Sequence, residues 1–476
     1  MKKGITFFTI WIIPYLIYSQ AFKIDPIKED TSLNSYPSKT ISGITIIGNK
    51  ITKEQIILRE LTFKVGDTLS NVAFIAELTQ SKKNLLNTSL FNFANIQWAL
   101  IDSASTQIVI ELQERWYTFV FPIFEIDDNN FNTWWRDKDF SRINYGVNVS
   151  RTNFRGRKEK LTATAQYGFT ERYRLKYEIP YITKGQKLGI DFNFSYNRRD
   201  EIAYSTLDNE RLQYKSADQD AVRNLSSGIT FKYRPAIFTT HAIGLEYDLN
   251  SIQDSVRVLN PNYLGNNLLR TEFFSFFYDL KVDLRDSRNY PLVGFFGNIN
   301  IKQYGLEILQ SPVNFANFQI NLKKYWALHD RWYLAGSFRG VLATSDKQPY
   351  LLQNGLGYSS FGIRAYEYYV IDGQNIALTK AQIRYQLVKP NYAKLNLIPI
   401  EKFNKFHYAF YLGLFTDFAY VRDNVGFNGN SLANEMQFGT GIALDFVTYY
   451  DVVIRTEFSI NKLGENGIFI HFVAPI

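Results

Sequence analysis

Beyond about residue 142 the chain alternates between apolar and polar positions. Tyr173, Leu175, Tyr177 and Ile179 interleave with Arg172, Arg174, Lys176 and Glu178; Leu188, Ile190, Phe192, Phe194 and Tyr196 interleave with Gly189, Asp191, Asn193, Ser195 and Asn197. The pattern returns where Phe274, Phe276, Tyr278, Leu280, Val282 and Leu284 alternate with Ser275, Asp279, Lys281, Asp283 and Arg285. It returns again where Tyr408, Phe410, Leu412, Leu414 and Phe418 alternate with His407, Tyr411, Gly413 and Asp417. A two-residue period sends the two sets to opposite faces of a strand. Such segments run to about 10 residues or more, which suits a tilted membrane span better than the usual soluble strand of ~5 to 6. About 16 of them follow one another, an even number, as single-chain bacterial barrels require. The pattern predicts an all-β fold, a transmembrane antiparallel β-barrel of about 16 strands over residues 142–476, closed so that lipid meets no unpaired sheet edge.

The N-terminal part has a different rhythm. Ile41 to Asn49 reads as a strand closed by a Gly-Asn turn, Lys53 to Leu61 as a short helix, and Phe63 to Asp67 as a loop. Ser70 is placed to cap a helix reaching about Leu86, and strands follow near Phe93 to Leu100 and Gln107 to Glu114. The order βααββ predicts a small α/β domain over residues 40–115. Residues 116–141 are aromatic and irregular and read as a linker at the membrane interface, which puts the first barrel strand at about Ile143 to Thr152. Before the domain lie a polar leader, residues 20–39, and a signal peptide, residues 1–19, with Lys2 and Lys3 ahead of an apolar run too short to span a bilayer. Export across the inner membrane is the expectation.

Composition sharpens this picture. There are 39 Phe, 32 Tyr and 7 Trp, yet mean hydropathy is only −0.21, as in a barrel whose strands hide their apolar face in alternation. The net charge of +8 is spread along the strands rather than gathered into a patch, so no nucleic-acid partner is expected. No cysteine is present, which excludes disulfides, thiolate metal sites and a lipidated N-terminal cysteine. The carboxylates Asp127, Asp128 and Asp137 lack any fixed ligand spacing and read as loop solvation. His241, His329, His407 and His471 occur singly, and no nucleophile elbow or phosphate-binding loop is present. Neither a metal, a cofactor nor an enzyme activity is expected.

Several motifs share one resemblance. Ile363-Arg364-Ala365-Tyr366 resembles the VRG[FY] loop motif of the Omp85 superfamily, with Ala in place of Gly. Phe415-Thr-Asp417-Phe-Ala419 resembles the F-x-D-x-G strand motif, and Gly439-Thr-Gly441 the Gly-rich start of the strand after it. Gly467, Ile470 and Phe472 match a C-terminal β-signal, except that the chain runs on to Ile476. The N-terminal domain, from the Gly-Asn turn to the closing "ELQERW", resembles a POTRA domain, and the whole chain a surface antigen of the D15 type with one such domain. The resemblance implies an outer-membrane barrel with its POTRA domain in the periplasm. It also implies Arg364 folded into the lumen against Asp417, for which Arg384 or Arg455 are alternative partners. The implied function is insertion and assembly of outer-membrane β-barrel proteins, the POTRA domain receiving clients and a lateral seam templating them. A pore exporting a dedicated polypeptide, as in two-partner secretion, and a passive barrel are the alternatives. The implied partners are outer-membrane lipid, unfolded polypeptide clients and periplasmic chaperones or accessory lipoproteins.

Overall fold

A computed structural model describes residues 38–102, 105–126, 143–217, 220–288, 290–309, 311–353, 355–358, 362–394, 405–425, 430–448 and 452–471. The expected signal peptide, most of the leader, the three loop aspartates and Phe472 lie outside the described residues.

The N-terminal domain runs β1 (Ser38–Ile47), α1 (Glu54–Leu58), β2 (Thr68–Ser70), α2 (Asn71–Asn87), β3 (Phe91–Leu100) and β4 (Ser105–Glu114). The sheet order is β2-β1-β4-β3, with β1 and β4 parallel and the other pairs antiparallel. Ser70 caps α2 by accepting a hydrogen bond from the Ala73 amide at 3.4 Å. The short β2 ends at that cap, in a stretch too brief to carry a period. Phe74, Leu78 and Leu85 of α2 recur at helical spacing and bury against Ile41, Ile96, Ile108 and Ile110 of the sheet.

Among the described residues the large sheet has sixteen strands. They are β5 (Thr118–Ile126), β6 (Ile143–Phe154), β7 (Glu159–Gly168), β8 (Thr170–Ile179) and β9 (Leu188–Arg199). After a separate hairpin, β10 (Glu201–Leu207) and β11 (Glu210–Lys215), come β12 (Val222–Ala236), β13 (Thr239–Ile252) and β14 (Arg270–Asp283). The remainder are β15 (Gly294–Tyr304), β16 (Phe315–His329), β17 (Trp332–Ala343), β18 (Asn375–Lys394), β19 (Lys405–Arg422), β20 (Met436–Thr448), β21 (Val452–Asn461) and β22 (Asn466–His471). Neighbours in sequence pair antiparallel throughout, and β5 and β22 are the two ends of the order. The fold is a transmembrane β-barrel preceded by a small α/β domain.

The first strand is therefore not Ile143 to Thr152. That stretch is the second, and the expected linker supplies the first, Thr118–Ile126. Its apolar residues lie on both faces, Val120 and Phe124 outward against Phe119, Phe121 and Ile123, so no alternation is visible in the sequence. Pro122 also argues against a strand, but a proline is tolerated where one row of backbone groups belongs to a sheet's end. Elsewhere parity holds. Phe192, Phe194, Leu412, Leu414, Phe418, Ile442 and Leu444 are exposed on the outer face, while Asp191, Tyr411, Phe415, Asp417, Ala443 and Asp445 are buried within. Among the described residues no helix is long and apolar enough to cross a membrane.

Candidate functional site

The loop between β17 and β18 turns back into the barrel and carries the Ile363 to Tyr366 quartet to the inner wall. Ile363, Arg364, Ala365 and Tyr366 are all buried. Arg364 Nε donates to Asp417 Oδ2 at 2.9 Å, Nη2 donates to Asp417 Oδ1, and the Arg364 amide reaches the same carboxylate at 3.1 Å. A bidentate guanidinium and a backbone N–H thus meet one carboxylate that is fully enclosed. The guanidinium also lies over the Phe415 ring, 3.9 Å from its centroid. Lys380 of β18 stands 3.7 Å from Asp417 as a second cation.

The other motif residues make room. A Cβ on Gly439 would lie 2.0 Å from the Arg364 carbonyl oxygen, so the loop backbone can touch β20 only over glycine. A Cβ on Gly441 would lie 2.8 Å from the Phe415 ring that supports Arg364. Ala419 is buried beside Ile363 and Tyr366 in one apolar cluster. Ala365 itself has φ +72°, in the left-handed region, where the glycine of the family motif would be unstrained. Tyr366 donates to Gln437 Oε1 at 3.0 Å, and Asn461 Nδ2 donates to the Ala365 carbonyl at 3.0 Å.

Neither alternative partner takes Asp417. Arg455 pairs with Asp445, Nε to Oδ1 at 2.5 Å and Nη2 to Oδ2 at 2.7 Å, and Tyr290 donates to the same carboxylate at 2.7 Å. Arg384 lies over the Tyr290 ring and donates to the Pro291 carbonyl at 3.3 Å. Gln382 Oε1 links the two ion pairs, accepting from Arg455 at 3.1 Å and Arg364 at 3.4 Å. Gly467 and Ile470 of the β-signal lie apart from Asp417, on β22, with Ile470 facing outward. The amide anchors Gln382, Gln437 and Asn461 had no signal in the sequence beyond strand parity. Of the four histidines, His471 stands against Glu367 and Glu457 in the folded chain, from a loop and another strand.

A second polar cluster joins the α/β domain to the barrel. Glu60 is buried and accepts both Arg234 guanidinium nitrogens at 2.7 Å, with Lys158 Nζ at 3.6 Å and Arg59 at 3.7 Å. Burial alone would raise its carboxyl, but Lys158, Arg234 and Arg59 together hold it down to about 2. Burial likewise brings the Lys158 ammonium down to about 8, against the pull of Glu60. Close by, the Lys53 amide donates to Gly156 O at 2.9 Å and Asn153 Nδ2 to Thr52 Oγ1 at 2.9 Å. A cavity of about 690 Å³ lies between the two parts, lined by Arg59, Glu60 and Asn84 of the domain and by Lys158, Asp191 and Arg234 of the barrel.

A lumen-facing loop gripped by a buried Arg–Asp pair, in a sixteen-stranded barrel with an α/β domain ahead of it, defines a class of transmembrane β-barrels that hold a loop of their own in the lumen. Residues 153–448 match the Omp85 superfamily domain and residues 39–115 the POTRA, or surface antigen variable number repeat, model. The chain belongs to the Omp85 superfamily and carries a POTRA domain. Among solved structures, CdiB from Escherichia coli aligns with TM-score 0.54 at 12% identity over 91% of this chain and 75% of its own. BamA from Haemophilus ducreyi lacking POTRA domains 1–3 aligns with TM-score 0.49 at 15% identity over 90% and 83%. CdiB from Acinetobacter baumannii gives 0.48 at 13% over 91% and 73%. No curated protein matches the sequence. Members of the superfamily are outer-membrane barrels with periplasmic POTRA domains that work on polypeptide clients.

Proposed function

We propose that this protein sits in the bacterial outer membrane and assists insertion and assembly of β-barrel proteins there, with its POTRA domain in the periplasm receiving clients. The observation that carries this reading is the seam. Consecutive strands of the sheet pair in register, but β5 and β22 end the strand order, and among the described residues no register joins one to the other. β5 also carries Pro122, which has no backbone N–H to give to a ladder. The join between the two end strands is therefore the least costly place to open the wall. An opened edge offers backbone N–H and C=O groups to an incoming strand whatever its side chains. No chemical step is needed, because the client's own folding supplies the free energy. In the POTRA sheet β3 is an edge strand and could hold a client the same way.

Export through the lumen would have to displace the buried Ile363 to Tyr366 loop, so lateral opening needs less rearrangement. The test uses the absence of native cysteine. Cysteine pairs are scanned across β5 and β22, starting from Val120 and Ile468, in liposomes that take up urea-denatured barrel proteins. Oxidation should abolish acceleration of client folding and reduction restore it. Full activity with the seam quantitatively cross-linked sinks the assembly reading. Depletion followed by outer-membrane proteomics then separates loss of many barrel proteins from loss of one exported polypeptide.

A further inference from the structure

We propose that Glu367, Glu457 and His471 form a divalent-cation site that fastens the lumenal loop to the last two barrel strands. Glu367 follows the quartet directly, Glu457 points inward from β21, and His471 ends the described part of β22. The register pairs Glu457 with Phe469 and Arg455 with His471, so Glu457 and His471 are diagonal neighbours on one wall. His471 Nε2 lies 3.4 Å from Glu457 Oε1 and 3.6 Å from Glu367 Oε1. One ligand atom from each residue lies within 4.8 Å of the other two. Around a tetrahedral ion with bonds of ~2.0–2.1 Å, ligand atoms sit about 3.4 Å apart, close to both spacings.

The independent pointer to a ligand is Glu457. Its side chain is fully enclosed, and among the described residues neither carboxylate oxygen has a hydrogen-bond partner. An ionised carboxylate buried without a donor is costly, and a cation supplies what is missing. His471 Nε2 is also without a hydrogen-bond partner among the described residues. The facing charges on the other elements do not replace the ion. Lys380 feels both glutamates, but its ion pair is with Asp417 at 3.7 Å, and Arg364 is held by that same carboxylate. One imidazole and two carboxylates, leaving a position open, suit Zn²⁺ or another first-row divalent ion. Such an ion would lock the loop and the seam strand together, a property independent of whether clients are inserted or exported.

The test uses the full chain refolded in detergent, stripped with EDTA and titrated by calorimetry with ZnCl₂ and separately MnCl₂. Heat-modifiable gel migration verifies the barrel in each sample. The wild type should take up about one equivalent of one of these ions, and Glu457→Gln and His471→Ala should each weaken binding by about tenfold or more. His471→Ala changes a part-exposed residue near the chain end and so covers the case in which Glu457→Gln does not fold. Absence of saturable binding in the folded wild type, or undiminished binding in the folded variants, overturns the site.

Discussion

Removing either member of the Arg364–Asp417 pair should release the lumenal loop while leaving the barrel wall intact. Breaking a buried ion pair by truncating one partner costs roughly 3–5 kcal/mol, because the other charge stays behind in the interior. Arg364→Ala belongs at the low end, about 3 kcal/mol, since Lys380 at 3.7 Å still faces Asp417. It also loses the Phe415 contact. Asp417→Asn keeps the shape and strands Arg364 against a neutral amide, again about 3 kcal/mol. Each loss falls on loop docking rather than on the strand ladder, so it enlarges the loop-open population by about a hundredfold. The chain has no cysteine, and Val370 in the same loop is only 2% exposed, so a single Val370→Cys reports opening by its rate of maleimide labelling. Heat-modifiable migration checks that the wall has formed. Both single variants should label about a hundredfold faster, and the double variant should fall short of the summed effect by about 1–3 kcal/mol. Additivity within about 0.5 kcal/mol, or labelling rates equal to the parent's, would refute direct pairing.

The same reporter tests the backbone fit. Ala365→Gly, which relieves a residue at φ +72°, should slow labelling about fivefold, a gain near 1 kcal/mol; faster labelling would contradict the strain argument. Gly439→Ala would place a methyl group 2.0 Å from the Arg364 carbonyl and should speed labelling by about tenfold or more; an unchanged rate would mean the loop does not rest on β20. At the domain junction, Glu60 is held at about 2 against an ordinary 4.5, so its ion pairs stabilise docking fully above pH 4.5 and are lost as pH falls towards 2. Energy transfer between dyes on the POTRA domain and the barrel should drop across that window as about 3 kcal/mol of docking stability is lost, whereas the signal of Glu60→Gln should be flat there; identical profiles would exclude Glu60 as the titrating group.

The sequence carried the barrel because Tyr173 to Ile179 and Leu188 to Tyr196 contrast across a strict two-residue period. It carried the POTRA domain because the Gly-Asn turn, the Ser70 cap and the strand–helix order that follows are local signals. Thr118–Ile126 was lost because a strand apolar on both faces shows no alternation, and Pro122 reads as a breaker. Arg364 and Asp417 were legible only through motif resemblance, since nothing local to either names the other. Gln382, Gln437 and Asn461 have no such signature. A lumenal amide is one polar position among many until register fixes what it faces. The same holds for Glu367, Glu457 and His471, which lie on a loop and two strands and meet only when the wall curves round.

These placements bear on how a plugged barrel could open sideways. The loop is not hung from the wall at large. Arg364 is held on β19, the Ala365 carbonyl by Asn461 of β21, and Tyr366 by Gln437 of β20, so its polar anchors sit on the strands leading to the seam. Beyond them, the Tyr368 ring lies 5.8 Å from that of Phe469 on β22, and Glu367 stands beside His471 on the same strand. If β22 peeled away, it would break the contacts at Tyr368 and Glu367 while leaving the Arg364–Asp417 pair intact. With no ion bound at Glu367, Glu457 and His471, the buried pair would then act as the fixed point and the contacts to β22 as the yielding ones. An ion pair enclosed on β19 costs several kcal/mol to break, whereas an aromatic contact adds about 0.5–1.5 kcal/mol beyond its buried area. Opening at the seam, as proposed, would therefore favour the seam side of the loop, and the loop would stay docked while the last strand moves.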